Sequence, residues 1–461
     1  MSTTNSSETS MMLPFYKKIS YGMGRFGSSF LLSLVGLTSF YIYSTVFLLS
    51  WWLNGFVQFI GYLVIGITHW LTGYYSDGLQ TRYGRRKPFV IIGAPGLAIA
   101  AIFLFIPHFF IPIGSPIPEF QWLLFAFYLT FLCLFKFFYA FLLTAFQAWL
   151  PEITDEDERP VVSSMQNTSN WIANGIGGVI GLLASTPLFF AAGAPTMLML
   201  IIVFSFAGIE ILFYLPSIAF IREKPDIIIP KRSIKRETSI ILRNRNYVGW
   251  LMTVGFLSFT FVAITANLVG FIENVIGLID VAELIAVALS LLISLMAFLY
   301  VWAALIKRIG KRRSMIIAML ILALILPLTI WIGAIPISPV LKGIVYLVPL
   351  AACMANYYIM SYVVPADIAH VDELESGESR SGMYTGFLGV PLNVFQAFSA
   401  LLLGYVMDLS VILTGTEILG YLWFGPIFTP TLIISIIFLL FINLDPTFKP
   451  EQKPERLAEE G

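Results

Sequence analysis

The stretch Gly73–Phe89 (GYYSDGLQTRYGRRKPF) is the feature that most restricts how this chain can fold. It lies between two long apolar runs, and within eleven positions it holds five charged residues: Asp77, Arg82, Arg85, Arg86 and Lys87. Two apolar runs of this length joined by so short a basic turn are typical of a transmembrane helical hairpin. A weaker copy of the turn, Lys307–Arg313 (KRIGKRR), follows another apolar run more than two hundred residues later. The pattern therefore predicts one helical membrane unit that is used twice.

Composition places the whole chain in a lipid bilayer. Of its 461 residues, 58% are hydrophobic and only 12% are charged, whereas soluble domains average about 25% charged residues. A helix needs roughly 20 apolar residues to cross a bilayer. We therefore predict an all-α membrane protein with twelve transmembrane helices, near residues 20–47, 51–77, 88–112, 121–150, 161–184, 195–221, 247–274, 282–306, 314–334, 340–364, 383–408 and 417–443.

The distribution of basic residues predicts the orientation. Nearly all of the 27 Lys and Arg residues fall in the N-terminal segment, in connections that follow an even-numbered span, or in the C-terminal tail; the exceptions are Arg25, Lys136 and Lys342. Because Lys and Arg are retained in the cytoplasm, we expect a multi-pass plasma-membrane protein with both termini cytoplasmic. The expected division is a six-helix bundle at 1–221, a cytoplasmic linker at 222–246, a second six-helix bundle at 247–443 and a cytoplasmic tail at 444–461.

Several classes of function are disfavoured. The 27 acidic residues balance the 27 basic ones, which argues against a nucleic-acid partner. Cys133 and Cys353 lie far apart in apolar runs, and we interpret them as reduced core residues. No predicted span carries a histidine pair or a cluster of carboxylates, and the chain has no Gly-x-Ser-x-Gly motif. We therefore expect neither an enzyme nor a metal or cofactor.

The charges of Gly73–Lys87 are candidates for a gate. Asp77 ends the second span, and the basic side chains Arg82, Arg85 and Arg86 are placed to pair with carboxylates across the two halves. Such pairs hold one conformation of an alternating-access carrier and break in the other. The alternative is that these charges only set the topology.

Four stretches resemble a known family. Gly73–Phe89 resembles the signature loop of the major facilitator superfamily. Its residue sequence resembles that of the glycoside–pentoside–hexuronide:cation symporters (the melibiose permease and sucrose carrier family). Three further stretches agree with that family: Lys17–Gly27 (KKISYGMGRFG) in the first span, Leu150–Arg159 (LPEITDEDER) after the fourth, and Ala366–Gly382 (ADIAHVDELESGESRSG) between the tenth and eleventh. The resemblance implies two pseudo-symmetric six-helix bundles around a central cavity, and cation-coupled uptake of a sugar-like solute.

The family's ligand residues are not retained. The positions of its sugar-binding, cation-binding and lysine residues fall on Ser29, on Leu143 or Thr144, near Ile65 and His69, and on Asn393. Sodium prefers hard oxygen ligands, whereas His69 offers nitrogen. We therefore expect a carrier that is not coupled to sodium.

Other polar residues at membrane depth are candidates for the substrate site. Arg25 lies one turn before Ser29 in the first span, and Lys136 lies in the fourth span on the face that also carries Thr144 and Gln147. With Asn393, these residues form the predicted substrate site, whose basic groups suit an anionic solute such as a sugar acid. The alternative is structural: a pair between Lys136 and Glu210, and an Arg25 that extends to the interface.

Two residues are candidates for coupling transport to a proton. His69 has an ordinary pKa of about 6.5, and Glu210 is an acidic residue at membrane depth in the sixth span. The sequence thus predicts a secondary transporter of a sugar-like solute, in a bilayer, for which one protein chain is sufficient. A lysolipid carrier of the same superfamily and a non-transporting sensor on the same fold remain open.

Overall fold

The computed structural model describes residues 13–79, 81–112, 118–154, 158–221, 234–377 and 381–444. The linker residues 222–233 and the tail from 445 onward lie outside this part. Fourteen α-helices are described: α1 Phe15–Tyr41, α2 Trp51–Gly78, α3 Lys87–Phe105, α4 Pro118–Ile153, α5 Arg159–Leu182, α6 Met197–Phe220, α7 Ile234–Ile241, α8 Arg245–Phe271, α9 Val281–Ile309, α10 Lys311–Ile325, α11 Pro339–Ser376, α12 Ser381–Phe387, α13 Gly389–Thr414 and α14 Ile418–Leu440.

Twelve of these helices cross the membrane, as predicted, and α7 and α12 are short additions. Within the described residues, eleven helices are both long and apolar enough to span a bilayer by composition alone. The twelfth is α5, which is 24 residues long but carries Ser, Gln, Asn and Thr along its first half. Such a polar helix is stable in a membrane when its polar face packs against another helix, and α5 packs closely along α1.

Several helix ends differ from the predicted ones; for example, α10 ends at Ile325, nine residues before the predicted end at 334, and 3₁₀ segments follow it. α11 continues to Ser376, well past the predicted end at residue 364, so most of the acidic segment taken for a loop is helical. α3 ends at Phe105, and the 3₁₀ segment Pro107–Phe109 follows it. A hydropathy pattern cannot detect the extension of α11, because a helix that leaves the bilayer can continue with polar residues.

The two halves repeat the same plan. α1 and α8 each have 27 residues, and each continues into a five-residue π-helical segment, Ile42–Val46 in the first half and Ile272–Ile276 in the second. α1–α6 form the first bundle, and α8–α14 form the second. The basic turns also correspond, since Gly84 and Gly310 both have positive φ angles of 106° and 85°. Glycine adopts this left-handed conformation without steric cost.

The ends of the helices form two faces of the molecule. The termini face is the face at which α1 begins and α2 ends, and the opposite face is the face at which α2 begins. A two-stranded antiparallel pair, Phe190–Ala191 with Ala194–Pro195, connects α5 to α6 at the opposite face. The boundary between the two bundles is called the seam.

Candidate functional site

The seam is closed at the opposite face by α2 of the first bundle and α13 of the second. An added Cβ at Gly55 would lie 2.8 Å from the Ala400 carbonyl oxygen and from the Gly404 Cα, so the two backbones touch. Deeper in the membrane, the rings of Phe59 and Phe398 meet edge to face at 5.4 Å. Glycine permits this close approach of two membrane helices.

Asn393 lies farther along the same contact between α2 and α13. A Cβ at Gly66 would lie 3.0 Å from the Asn393 Cβ, and the Asn393 side-chain amide donates to the Gly389 carbonyl at 2.7 Å. The residue is half-buried. Asn393 is thus at the seam, as predicted for a substrate-site residue, with its amide directed to its own helix.

Ser29 lies in a polar contact between α1 and α5. Its hydroxyl donates to the Asn170 side-chain oxygen at 2.6 Å, and the Asn174 amide donates to the same oxygen at 3.0 Å. Ser33, one turn later, donates to the Asn174 carbonyl at 3.0 Å. A Cβ at Gly36 would meet nothing within 4 Å. The face of α1 from Ser29 to Gly36 therefore starts against α5 and ends at open space.

Lys136 is the most unusual charge in the first bundle. Its side chain is 5% exposed, and its Nζ lies 4.5 Å from the centre of the Tyr62 ring on α2. In the part of the chain that the structure describes, it forms no ion pair, and in particular none with Glu210. The alternative of a structural Lys136–Glu210 pair is therefore wrong. A cation–π contact accounts for about 2 kcal/mol at a desolvated site, less than the cost of burying an ammonium group.

His69 and Thr144 are brought together between α2 and α4. The His69 Nδ1 lies 2.6 Å from the Thr144 hydroxyl oxygen, and the same hydroxyl donates to the Ala140 carbonyl at 2.7 Å. With its own proton used in that bond, the hydroxyl accepts from Nδ1–H. This assignment leaves Nε2 of His69 as the proton acceptor.

Glu210 lies between α6 and α1, away from the seam. It is 0% exposed; one carboxyl oxygen accepts from the Ser28 hydroxyl at 2.7 Å, and the Ser28 oxygen lies 3.0 Å from the Tyr214 hydroxyl. The other carboxyl oxygen is buried without a hydrogen-bond partner in the described residues. Gly27 provides the space, because a Cβ there would collide with the Glu210 carboxyl group and backbone.

Arg25 and Gln147 complete the predicted set. Arg25 is half-buried, within electrostatic reach of the Tyr21 and Tyr214 hydroxyls, and its Nε atom is buried without a partner among the described residues. It therefore does not simply extend to the interface. Gln147 is exposed on α4 near the termini face.

One pair at the seam was missed by the sequence analysis. The ring of Trp171 on α5 meets the ring of Tyr358 on α11 edge to face at 5.4 Å, and both residues are half-buried. Trp171 lies one position after Asn170 and therefore on a different face of α5, the face turned to the second bundle. The polar stripe that includes Asn170 faces α1, so no sequence signal marks Trp171 as a seam residue.

Two basic residues of the turn after α2, Arg85 and Arg86, have described ion pairs within their own bundle. Glu152, near the end of α4, lies 2.6 Å from Arg85 and 2.9 Å from Arg86, and Arg86 also donates to the Ser76 hydroxyl. In the second bundle, Lys311 lies 2.7 Å from Asp367 of α11. The described pairs thus differ from the predicted ones across the two halves. Arg82 is exposed over the Tyr83 ring, and the side chain of Asp77 lies outside the described part.

The family of the chain follows from comparison with known proteins. The family model described as MFS/sugar transport protein matches residues 20–443, nearly the whole chain. The chain belongs to this family. The predicted resemblance to the major facilitator superfamily is thereby confirmed, and the protein is a secondary transporter and not an enzyme.

Solved structures share the fold at low sequence identity. A D-xylose–proton symporter matches with a TM-score of 0.67 and 13% identity, over 93% of this chain and 98% of that chain. The nucleoside transporter NupG matches with a TM-score of 0.63 and 14% identity, over 93% and 100%. A bacterial homologue of the human lysosomal transporter Spinster, solved inward-facing and unoccupied, matches with a TM-score of 0.61 and 12% identity, over 92% and 93%. At such identities the likeness establishes the twelve-helix fold alone.

Proposed function

We propose that this transporter carries a sugar-like solute that bears a carboxylate, in symport with a proton and not with sodium. It acts as a single chain in the plasma membrane, with both termini in the cytoplasm. The family description supports a sugar-like solute. Lys136 supports the carboxylate, and His69, a nitrogen donor near the family's cation positions, supports a proton instead of sodium.

Lys136 is the single observation that carries the proposal. A buried ammonium group is stable only when it is paired or neutralised, yet among the described residues Lys136 has a cation–π contact with Tyr62 and no carboxylate partner. A solute carboxylate would supply the missing counter-charge. A hydrogen bond to a charged group contributes about 1.5–3 kcal/mol, equivalent to a roughly 10- to 150-fold gain in affinity.

The other site residues are proposed with separate roles. Arg25, Ser29, Thr144, Gln147 and Asn393 would bind the hydroxyl and carboxyl groups of the solute as the bundles move. Because Ser29 and Thr144 already make hydrogen bonds within the first bundle, they can exchange these partners for solute oxygens.

Coupling and gating are proposed for the remaining residues. His69 would accept the proton at Nε2, and Glu210 could hold it between α1 and α6. Asp77 and Arg82, with Arg85 and Arg86, would stabilise the gate at the termini face. The bonds of Arg85 and Arg86 to Glu152 support a role in fixing the end of α4 against the turn.

The test is uptake into proteoliposomes of paired solutes, such as glucose and glucuronate, with proton and sodium gradients imposed separately. We expect a proton gradient alone to drive glucuronate uptake. Lys136→Met keeps the apolar stem over Tyr62 and should reduce the apparent affinity for glucuronate at least about tenfold. Lys342→Met is the matched control, because Lys342 bonds to the Gly333 carbonyl near the opposite face.

Three results would contradict the proposal. Uptake driven by a sodium gradient alone would refute proton coupling. An unchanged affinity in Lys136→Met would refute the role of Lys136. Competition by a lysophospholipid, without competition by any sugar acid, would identify an amphiphile carrier instead.

A further inference from the structure

The opposite face carries an acidic site at the seam that the proposed function does not use. α1 and α8 both end there in π-helical segments, Ile42–Val46 and Ile272–Ile276. Such segments are rare in proteins, and those that occur are often found at functional sites. Glu273 is the second residue of the later segment, and Tyr41 is the last residue before the earlier one.

A hydrogen bond between these two residues joins the bundles. The Tyr41 hydroxyl donates to a Glu273 carboxyl oxygen, and Tyr41 is buried whereas Glu273 is half-buried. Nearby, the rings of Trp51 on α2 and Tyr421 on α14 meet edge to face at 6.2 Å. The bond therefore exists only while the bundles are closed at this face.

Other groups surround Glu273 on the packed elements. Glu417, the residue before α14, lies within electrostatic reach. From α11, the Tyr346 ring lies 5.0 Å from the ring of Phe271, two residues before Glu273, and the Lys342 ammonium is bound to the Gly333 carbonyl at 2.7 Å. Neither Glu273 nor Glu417 has an ion-pair partner in the described residues.

The Tyr421 side chain belongs to the same cluster. Tyr421 is 1% exposed, and its hydroxyl abuts Gly270, one turn before Glu273, where a Cβ would collide with it. The hydroxyl lies beside the hydroxyl of Thr45 and within electrostatic reach of Glu273 and Glu417. Tyr421 therefore belongs to the same polar cluster at the seam.

We propose that Glu273 binds a proton from the compartment at the opposite face, and that this proton favours closure of the seam there. Closure takes the Glu273 carboxylate partly out of water and holds it near Glu417. Both effects disfavour a second negative charge. A neutral carboxyl group still accepts from Tyr41 through its carbonyl oxygen and can donate its new O–H.

The proton moves from water to a carboxyl oxygen of Glu273, and no other bond changes. Proton binding and closure are then linked, so each promotes the other. The inference rests on the proposed function only in assigning this linkage to proton symport. His69 and Glu210 lie inside the first bundle, whereas Glu273 is at the boundary that opens and closes.

The test measures the distance between the bundles at the opposite face directly. Spin labels are placed at Phe109→Cys and Ile279→Cys, two exposed sites, 66% and 67%, on different bundles, with Cys133 and Cys353 replaced by alanine. Double electron–electron resonance is recorded on the full-length protein in lipid nanodiscs between pH 8 and pH 5. We expect the ratio of short to long distances to rise about fivefold or more as the pH falls.

Three variants distinguish Glu273 from other titrating groups. Glu273→Gln resembles the protonated state and should keep the short distance at every pH. Tyr41→Phe should reduce the short population. Glu119→Gln removes an exposed carboxylate at the start of α4 and should behave as the parent.

The inference is overturned if the parent shows no pH response, or if Glu273→Gln retains the response of the parent. Failure of the proposed function has a different signature. If no solute is taken up while Glu273 still controls the distance, the proton site stands and the symport assignment fails. If proton-driven uptake persists but the distance is independent of Glu273, only the site fails.

Discussion

Glu158 links the start of α5 to the start of α1 at the termini face. The Lys18 ammonium lies 2.6 Å from one of its oxygens, and the Leu13 backbone N–H donates to the other at 3.1 Å. Desolvation acts to raise the pKa of this carboxyl group, but Lys18 and Leu13 outweigh it and hold the pKa below its ordinary value. The carboxylate therefore stabilises the fold above its unfolded pKa of about 4.3. That stabilisation is lost as the pH falls through the lower folded pKa.

We expect Glu158→Gln to lower the unfolding temperature of the detergent-purified protein at pH 7, by an amount that corresponds to about 1–3 kcal/mol. As the pH falls from the unfolded pKa of about 4.3 through the lower folded pKa, the variant and the parent should converge, because the parent's carboxylate then becomes protonated in the folded protein as well. Differential scanning fluorimetry from pH 3 to pH 8 measures both. Glu375→Gln, an exposed carboxylate near the end of α11, is the control. A constant difference at all pH values would contradict the electrostatic explanation.

At the scale of single residues, the sequence predicted how deep a polar residue lies in the membrane better than it predicted which residues it contacts. The sequence placed Lys136 and Glu210 at membrane depth. It did not predict that Lys136 contacts Tyr62 or that Glu210 accepts from Ser28. The rotation of α4 and α6 about their axes decides those partners, and an almost uniformly apolar helix gives no pattern from which to read it. Ser29, by contrast, lies on α1 with Ser33 in a polar stripe, and such a stripe indicates its packing face.

At the scale of elements, the crossing of α2 and α13 sets the closed state of the opposite face. A Cβ at Gly404 would lie 2.7 Å from the Gly55 Cα and from the Trp51 carbonyl oxygen. Gly404→Val would overpack this crossing at a cost of about 1–3 kcal/mol to the closed conformation. We therefore expect the Phe109–Ile279 spin-label pair to shift toward long distances, by roughly 5- to 150-fold in population ratio.

Gly389→Ala on the same helix is the matched control. A Cβ at Gly389 meets nothing within 4 Å, so its distance distribution should equal that of the parent. A parent-like distribution in Gly404→Val would show that the crossing does not limit closure. Scanning fluorimetry on both variants separates a conformational shift from general unfolding.

The elements themselves were largely predictable. Hydrophobic length gave the twelve spans, including the fifth, which corresponds to α5 although its first half carries polar residues. The π-helical ends of α1 and α8 were not predicted, because a single extra residue per turn leaves no mark on hydropathy. The Tyr41–Glu273 contact across the seam lies at these helix ends. The sequence therefore did not predict the local structure on which this contact depends.

At the scale of the whole molecule, the internal repeat has equivalent charges at equivalent places. The pairs Arg86–Glu152 and Lys311–Asp367 both join a basic turn to the helix that ends beside it. Both pairs lie at the termini face, and each connects elements of one bundle only. This symmetry argues that the turns stabilise each bundle, and that opening at the termini face separates two preformed units.

The orientation of these units in the membrane is a prediction of the positive-inside rule. Tyr83, 55% exposed in the basic turn, lies at the termini face, and Ile279, 67% exposed, lies at the opposite face. Single cysteines, Tyr83→Cys and Ile279→Cys, are introduced where Cys133 and Cys353 have been replaced by alanine.

A membrane-impermeant maleimide should label Ile279→Cys in intact cells and Tyr83→Cys only after permeabilisation, because the basic turn is retained in the cytoplasm. The parent without cysteines measures the background. Labelling of Tyr83→Cys in intact cells would reverse the orientation, and the compartment that supplies the proton to Glu273 would then be the cytoplasm. The distance measurements across the opposite face would be unaffected, since they depend on the seam and not on the direction in which it faces.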